Sequence, residues 1–176
     1  LDITLQAETF TLDYFSILEP NPEITRTIDF ATDPFYKVQW LSCKDALIYQ
    51  TYIHFLYDEI NGLDTIRQKI IYKNSYISTN GNLTDFIYTD NVYSEPFIIY
   101  VGETIEKNAN VQRKCIGVVF EIVAGNEDLA LFLENIYSDI NLNNINLVSN
   151  IENGIGIFCS AFSEFSDTLE LSGNTI

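Results

Sequence analysis

Any histidine-based catalysis in this chain would depend on His54, because the sequence contains one histidine. A serine or cysteine nucleophile is usually activated by a neighbouring base such as histidine. His54 lies in the middle of an alternating aromatic strand, where a packed or surface-facing side chain is the ordinary role. The nearest nucleophile candidate, Cys159-Ser160, follows an apolar strand instead of opening a helix. The sequence therefore predicts no catalytic residue and favours a protein that is not an enzyme.

Two pairs of adjacent carboxylates could supply acid–base chemistry if they faced a cleft. Glu127-Asp128 follows Asn126, the predicted N-cap of a helix, and lies in the first turn, where carboxylates are favoured by the helix dipole. Asp58-Glu59 ends a predicted strand just before a turn, where solvated acids are common. Neither pair requires a catalytic role, and a hydrolase is the less favoured hypothesis.

The three cysteines, Cys43, Cys115 and Cys159, are too far apart in sequence to supply the close ligand pairs of a zinc site. Each lies in or beside an apolar run, so buried free thiols are predicted, with one disulfide plus one free thiol as the alternative. The ligand pattern of a calcium-binding loop is absent from the sequence. The sequence predicts neither a metal nor a cofactor.

The best candidate for a binding surface is the stretch 73–95, which is rich in aromatic and amide side chains. Its candidate ligand- or partner-binding residues are Tyr76, Phe86, Tyr88 and Tyr93. Aromatic rings beside amides suit recognition of sugars or proteins, because they offer contact area with few rotamers to freeze. The Asn and Asp residues between 80 and 91 could also ligate calcium, and packing within a sheet is the alternative role of the tyrosines.

The segment NIENGIGIFCS near the C-terminus could form either a ligand loop or a tight turn. Asn153 and Gly154 suit a turn with positive φ, and Gly156 allows a backbone or a ring to approach closely. Phosphate-binding loops follow a strand and open a helix, whereas these glycines lead into a strand and lie beside Glu152. The three residues are therefore predicted to form a structural turn.

The formal net charge of the chain is −16, from 25 acidic and 9 basic residues. Such a surface repels phosphate backbones and anionic lipid headgroups, so neither nucleic-acid binding nor direct membrane binding is expected. A hydrophobic content of 47% also excludes an intrinsically disordered chain, which combines charge with low hydrophobicity. These properties predict a folded acidic protein whose charge keeps it soluble in a crowded or saline exterior, with a specific cation-binding role as the alternative.

The pattern of apolar residues predicts a mainly β fold, an antiparallel β-sandwich with one late helix. Strands are predicted near 24–31, 35–42 and 47–60, around Ile66 to Tyr72, at Phe97 to Val101, at 115–123 and at Phe162 to Leu171, with the helix over about 126–138. Residues 73–95 are predicted to form loops and short edge strands. Asn61-Gly62 is predicted to form a hairpin turn. Residues 1–23 are predicted to be an N-terminal strand and linker, and 24–176 a sandwich domain with a helix insertion.

Several segments carry a resemblance to known proteins. VQW and ALIYQTYIHF resemble two strands of a fibronectin type III or immunoglobulin-like sandwich. The same VQW, the Tyr49–Tyr57 strand, the Ile116–Val123 strand leading into Asn126–Leu129, and the closing Ser149–Phe158 resemble a group of uncharacterised Bacteroidota envelope lipoproteins. These proteins are often encoded near TonB-dependent receptors. The resemblance covers roughly residues 30 to 165, and the Asn-Ile-x-Asn-Gly-Ile-Gly-Ile-Phe segment is its specific part.

The resemblance implies export to the cell envelope and anchoring at the outer membrane by a lipid on a cysteine upstream of Leu1. The opening Leu1, without methionine, fits a processed chain. The expected function is that of a non-enzymatic accessory subunit whose partner is an outer-membrane protein such as a β-barrel transporter. An extracellular module that binds glycan or another ligand through the Tyr76–Tyr93 loops is the alternative. Such exported proteins also carry O-glycans at Asp-Thr-aliphatic sites, which Thr65 and Thr168 match.

Overall fold

The computed structural model describes residues 15–18, 27–31, 33–42, 46–79, 86–108, 110–138, 157, 159 and 161–172. The elements are β1 (Phe15–Leu18), β2 (Thr27–Ile28), β3 (Phe35–Leu41), β4 (Ile48–Asn61), β5 (Asp64–Ser78), β6 (Ile87–Tyr93), α1 (Ser94–Thr104), β7 (Gln112–Gly125), α2 (Glu127–Ser138), β8 (Ala161–Phe165) and β9 (Glu170–Leu171). The mainly β prediction is confirmed.

Two antiparallel sheets face each other across the core. One has the strand order β1-β3-β6 and the other the order β5-β4-β7-β8, while β2 and β9 form a short parallel pair. Aromatic rings fill the space between the sheets: the Trp40 ring on β3 lies 5.5 Å from the Tyr49 ring on β4. This is the layered arrangement of a β-sandwich. The side of the four-stranded sheet that is turned away from β3 is called the outer face below.

Strand β4 is one of the two inner strands of the larger sheet and shows the predicted alternation. Tyr49, Ile53 and Phe55 are buried in the main core. Full burial of each such side chain contributes about 1.5–3 kcal/mol. The first half of the opposite side of the strand is also covered, because α2 packs Ala130 and Leu133 onto Ile48.

The hairpin between β4 and β5 is confirmed, with its turn one residue later than predicted. Asn61 pairs with Asp64, so the two central residues are Gly62 and Leu63. Gly62 has φ of 63°, the positive value that a two-residue hairpin turn requires at its first central position. Asn61 is therefore the last residue of β4, and the side chain of Leu63 is fully exposed at the tip.

The prediction that Pro96 begins a strand from Phe97 to Val101 is wrong, because these residues belong to helix α1. Proline is tolerated in the first turn of a helix, where backbone N–H groups have no intrahelical partner. Phe97 and Val101 are four residues apart and both buried, which puts them on one helical face. The described residues thus contain two helices, whereas the sequence predicts one.

The later helix is confirmed as α2, Glu127–Ser138. The backbone N–H of Leu129 donates to Asn126 Oδ1 at 3.3 Å, the side-chain cap that the sequence predicts. Of the loops and short edge strands predicted over 73–95, residues 73–78 belong to β5 and 87–93 to β6, each at one edge of its sheet among the described residues, whereas Ser94 and Glu95 begin α1. Alternation there was hidden by the many polar residues.

The single predicted strand from Phe162 to Leu171 is two strands, β8 and β9. Between them, Leu169 makes an isolated antiparallel bridge with Val118 of β7. β1, from the predicted N-terminal segment, pairs with β3. The predicted turn at Asn153, Gly154 and Gly156 lies outside the described residues.

Candidate functional site

Tyr88 and Phe86, two of the four predicted binding residues, lie together at the start of β6. Their ring centroids are 4.9 Å apart. Tyr88 is half-buried and packs against Trp40 at 6.0 Å and Tyr49 at 5.2 Å, so it serves the core. Phe86 is 47% exposed and is the member of the pair that a ligand could reach.

Tyr93 and Tyr76 lie elsewhere. Tyr93 ends β6 and packs its exposed ring against Phe35 at 6.1 Å. Tyr76 lies on β5 and packs beside the small core cluster that Ile48 forms with α2. Phe86 and Tyr93 are separated by the length of β6, about 20 Å at 3.3 Å per residue. The structure therefore does not bring the four aromatic residues together into one surface.

His54 is 6% exposed and has an acidic partner that the sequence did not indicate. Its Nε2 lies 2.6 Å from Glu121 Oε2, on the neighbouring strand β7. The ring of Phe165 meets the imidazole edge-on at 5.8 Å. The imidazole is thus buried, with one nitrogen and one ring contact engaged by neighbours within the sheet, which is the packed strand histidine that the sequence predicts.

The Asp58-Glu59 pair is also engaged rather than simply solvated. Arg67 on β5 donates from Nε to Asp58, and this hydrogen bond raises the pKa of the guanidinium. Arg113 on β7 donates to Glu59 Oε1 at 2.8 Å. The two carboxylates point to opposite faces of the sheet, as neighbours on a strand do. They cannot act together on one substrate atom.

A polar cluster joins the two sheets around Asp90 on β6. Its Oδ2 accepts from Asn74 Nδ2 at 2.9 Å, from Ser75 Oγ at 2.7 Å and from Thr51 Oγ1. A register shift between Gln50 and Tyr52 places two residues of β5 opposite Thr51, which is a β-bulge. The bulge brings the donors of both strands onto one carboxylate, and the cluster is a structural clamp between the sheets.

The larger candidate for function is the end of the four-stranded sheet formed by residues 57–73 and 112–115, called the hairpin end here. Its apolar side chains are unusually open: Leu63 is 103% exposed, Ile66 58% and Ile71 43%. Helix α1 adjoins it, because the ring of Tyr100 lies 5.3 Å from that of Tyr72. Ile98, Ile99 and Tyr100 extend the exposed apolar surface along the helix.

Basic residues are concentrated at the same end. Six of the nine lysines and arginines of the chain lie at the hairpin end or in the connection between α1 and β7. They are Arg67, Lys69, Lys73, Lys107, Arg113 and Lys114. The sequence carries a signal for this surface, because Arg67, Lys69 and Lys73 fall within one strand of a strongly acidic chain. That signal was not recognised as a site.

No protein-family model, curated protein or solved structure matches this chain. The resemblance to envelope lipoproteins therefore stays a prediction from the quoted segments. Within the described ranges, no helix has the length and apolar character needed to cross a membrane. The same ranges contain no group of three or more His, Cys, Asp or Glu side chains arranged to hold a metal ion.

A shallow groove of about 610 Å³ lies between the β2–β3 connection and the start of α1. Phe30, Ile98 and Ile99 supply its apolar walls, and Asp33 and Glu95 supply carboxylates. Asp33 Oδ2 accepts the hydroxyl of Tyr36 at 2.7 Å. The groove continues the exposed side of α1. It is lined by the carboxylates of Asp33 and Glu95, whereas the hairpin end is rich in lysine and arginine side chains. The two surfaces are therefore chemically distinct.

Thr65 and Thr168, which match the expected glycosylation pattern, are both exposed. Thr65 lies on β5 close to the hairpin turn, and Thr168 lies between β8 and β9. Both hydroxyls are therefore accessible to a modifying enzyme. Glycosylation at these sites stays a prediction.

Cys115 and Cys159 are free thiols, each half-buried. Burial raises the pKa of the Cys115 thiol, opposed in part by a hydrogen bond with the backbone of Gly117. Burial and the charge of Asp128 raise the pKa of Cys159. Because the thiolate is the reactive form, both thiols are less reactive in the folded protein than in the unfolded chain.

We expect a Cys43→Ser variant to react slowly with a disulfide reagent at pH 8 and faster once unfolded in urea. Folding raises both thiol pKa values above the ordinary 9.0. The stability linked to these thiols is thus present below pH 9 and is lost as the pH rises through the folded-state values. Absorbance of the released thiol, followed with time, measures the reaction. Equal rates in the folded and unfolded protein would contradict the expected protection.

Proposed function

We propose that this protein is a non-enzymatic accessory subunit that acts through contacts with another protein. The observation that carries the proposal is the run of open apolar side chains at the hairpin end and on α1. Leu63 at the turn and Ile66 beside it expose more than half of their surface. Large exposed apolar patches on a folded domain mark sites of interaction, because water solvates them poorly.

The sequence resemblance supplies the proposed setting. It implies an outer-membrane assembly in which the partner is an integral protein such as a β-barrel transporter. A hairpin that projects apolar side chains at its tip suits insertion into a recess of a larger partner. The setting rests on the resemblance, and the contact surface rests on the exposed residues.

The environments of the charged side chains support a binding role over a hydrolytic one. His54 is held by Glu121, and Asp58 and Glu59 are each held by an arginine. A general acid or base must reach the proton that it transfers. These groups are instead committed to neighbours within the sheet.

The proposal is tested by placing a photo-cross-linking amino acid at Leu63 in cells that make the protein. We expect one defined adduct of higher mass on irradiation, because the tip side chain would lie in the interface. The matched control carries the same amino acid at Lys37, an exposed residue of β3 on the other sheet. Mass spectrometry of the adduct identifies the partner.

Cross-linking of equal yield at both positions would indicate random collisions and would contradict the proposal, as would the absence of an adduct at Leu63. The fold of each variant is checked by circular dichroism. Because both positions are exposed, neither substitution is expected to change the free energy of unfolding by more than about 0.5 kcal/mol.

A further inference from the structure

Strand β5 is an edge strand of its sheet. Among the described residues it pairs with β4 and with no strand on its other side. Its first half, Asp64 to Tyr72, lies beyond the Asp90 cluster, and most of its side chains there are exposed. An edge of this length presents a row of backbone groups that a further strand could pair with.

The pairing register shows which backbone groups face outward. Asn61 and Asp64 flank a two-residue turn, so they form the hydrogen-bonded pair that closes the hairpin. Every second pair along the strands is then hydrogen-bonded, and the residues between them direct N–H and C=O away from β4. On β5 these outward residues are Thr65, Arg67, Lys69 and Ile71.

The same four residues place their side chains on the outer face of the sheet, since the alternate residue Ile70 is buried in the core. Two of them, Arg67 and Lys69, are cationic and exposed, and Asp58 engages Arg67. Lys114, two strands away, also lies on the outer face, beside Asp58 in the register. An incoming strand would therefore meet positive charge on one side and exposed Ile66 on the other.

Charge determines which strand can be accepted. Two copies of β5 placed edge to edge would set cations against cations, which opposes self-pairing. A strand with acidic residues at alternate positions would instead form favourable cross-strand pairs. An extended polyanion such as an anionic membrane surface would also be repelled by the strongly negative remainder of the chain. A short acidic protein segment avoids this repulsion and is the better match.

We infer that the β5 edge from Asp64 to Tyr72 binds an extended segment of a partner protein by strand addition. The segment carries Asp or Glu at alternate positions opposite Arg67 and Lys69, and apolar residues on its other face. This inference rests on the proposed protein-binding function and names the chemistry of the partner. Backbone hydrogen bonds supply affinity in such complexes, and alternate side chains supply specificity.

The test uses the full chain, labelled with nitrogen-15, and a blocked peptide of alternating Glu and Val, about nine residues long. We expect amide shift changes at residues 64–72. Lys69→Gln, which removes one charge, is expected to weaken binding about threefold. Lys69→Pro also removes the outward N–H, and a further loss of about tenfold is expected. Proline is tolerated at such an edge position, so the fold is retained.

The inference is overturned if Lys69→Pro and Lys69→Gln bind the peptide equally, or if a Lys-Val peptide binds as tightly as the Glu-Val peptide. Lys37→Gln, the same change at an exposed residue of the other sheet, is the matched control and should leave binding unchanged. Two further results would overturn the inference. One is binding of the full chain to anionic vesicles, if Lys69→Gln weakens that binding. The other is self-association of the chain, if Lys69→Gln increases it. If the Leu63 cross-link survives in Lys69→Pro, the proposed function stands and only the strand addition fails.

Discussion

Replacement of Gly117 by alanine is expected to lower the free energy of unfolding by about 3 kcal/mol or more. Gly117 is a buried residue of β7 with φ of 150°, a conformation that residues with a Cβ adopt only under strain. A Cβ at this position would lie 2.4 Å from the backbone oxygen of Leu169. Backbone cannot move aside as a flexible side chain does, so the strand or the Val118–Leu169 bridge must shift.

Gly117 lies at a register shift between Leu56 and Tyr57, so its conformation is part of a β-bulge in the sheet. Urea denaturation followed by circular dichroism measures the loss. Gly102→Ala in α1 is the matched control, because a Cβ there meets nothing within 4 Å. That variant is expected to gain about 0.5–1 kcal/mol from helix propensity. A loss below about 1 kcal/mol for Gly117→Ala would contradict the role given to this glycine.

Replacement of Asp90 by alanine is expected to cost about 3 kcal/mol, because up to three donors lose their shared acceptor at about 1 kcal/mol each. Thr51 is 2% exposed and cannot recover a hydrogen bond to water without opening the sandwich. Asp90→Asn retains one acceptor oxygen but replaces the other with a donor. Its expected loss is smaller but still exceeds about 1 kcal/mol.

The measurement is again chemical denaturation, and the matched control is Asp167→Ala, the same change at an exposed site. The control is expected to alter stability by less than about 0.5 kcal/mol. Equal effects at the two positions would show that the Asp90 cluster does not join the sheets. A smaller denaturant slope for Asp90→Ala would indicate that the native state had also loosened, because less surface would then be newly exposed on unfolding.

Local pattern was sufficient to predict the parts of the fold that depend on neighbouring residues. The alternation of β4 and the Asn126 cap of α2 are both of this kind, since each depends on residues within a few positions. Helix α1 was missed because Ser94–Thr104 is apolar on several sides, so its period is weak, and Pro96 was interpreted as a strand start. In the fold, burial of Phe97 and Val101 overrides local propensity.

Contacts between distant residues could not be predicted in this way. Glu121 reaches His54 from 67 positions away, and Asp90 meets Thr51 across 39. Both contacts depend on strand register, and bulges that a single sequence does not reveal determine that register. The basic residues of β5 were visible in the sequence, but their position at an edge follows only from the order of strands in the sheet.

The two pairings of β4 differ greatly in the length of chain that must be closed to form them. Its hairpin with β5 closes over the two residues Gly62 and Leu63. Its pairing with β7 closes a much longer loop, which contains β5, β6 and α1. Loop-closure entropy makes the first pairing the faster event during folding, because local contacts cost less to close. The hairpin that presents Leu63 is therefore expected to form early and to provide the template on which β7 assembles.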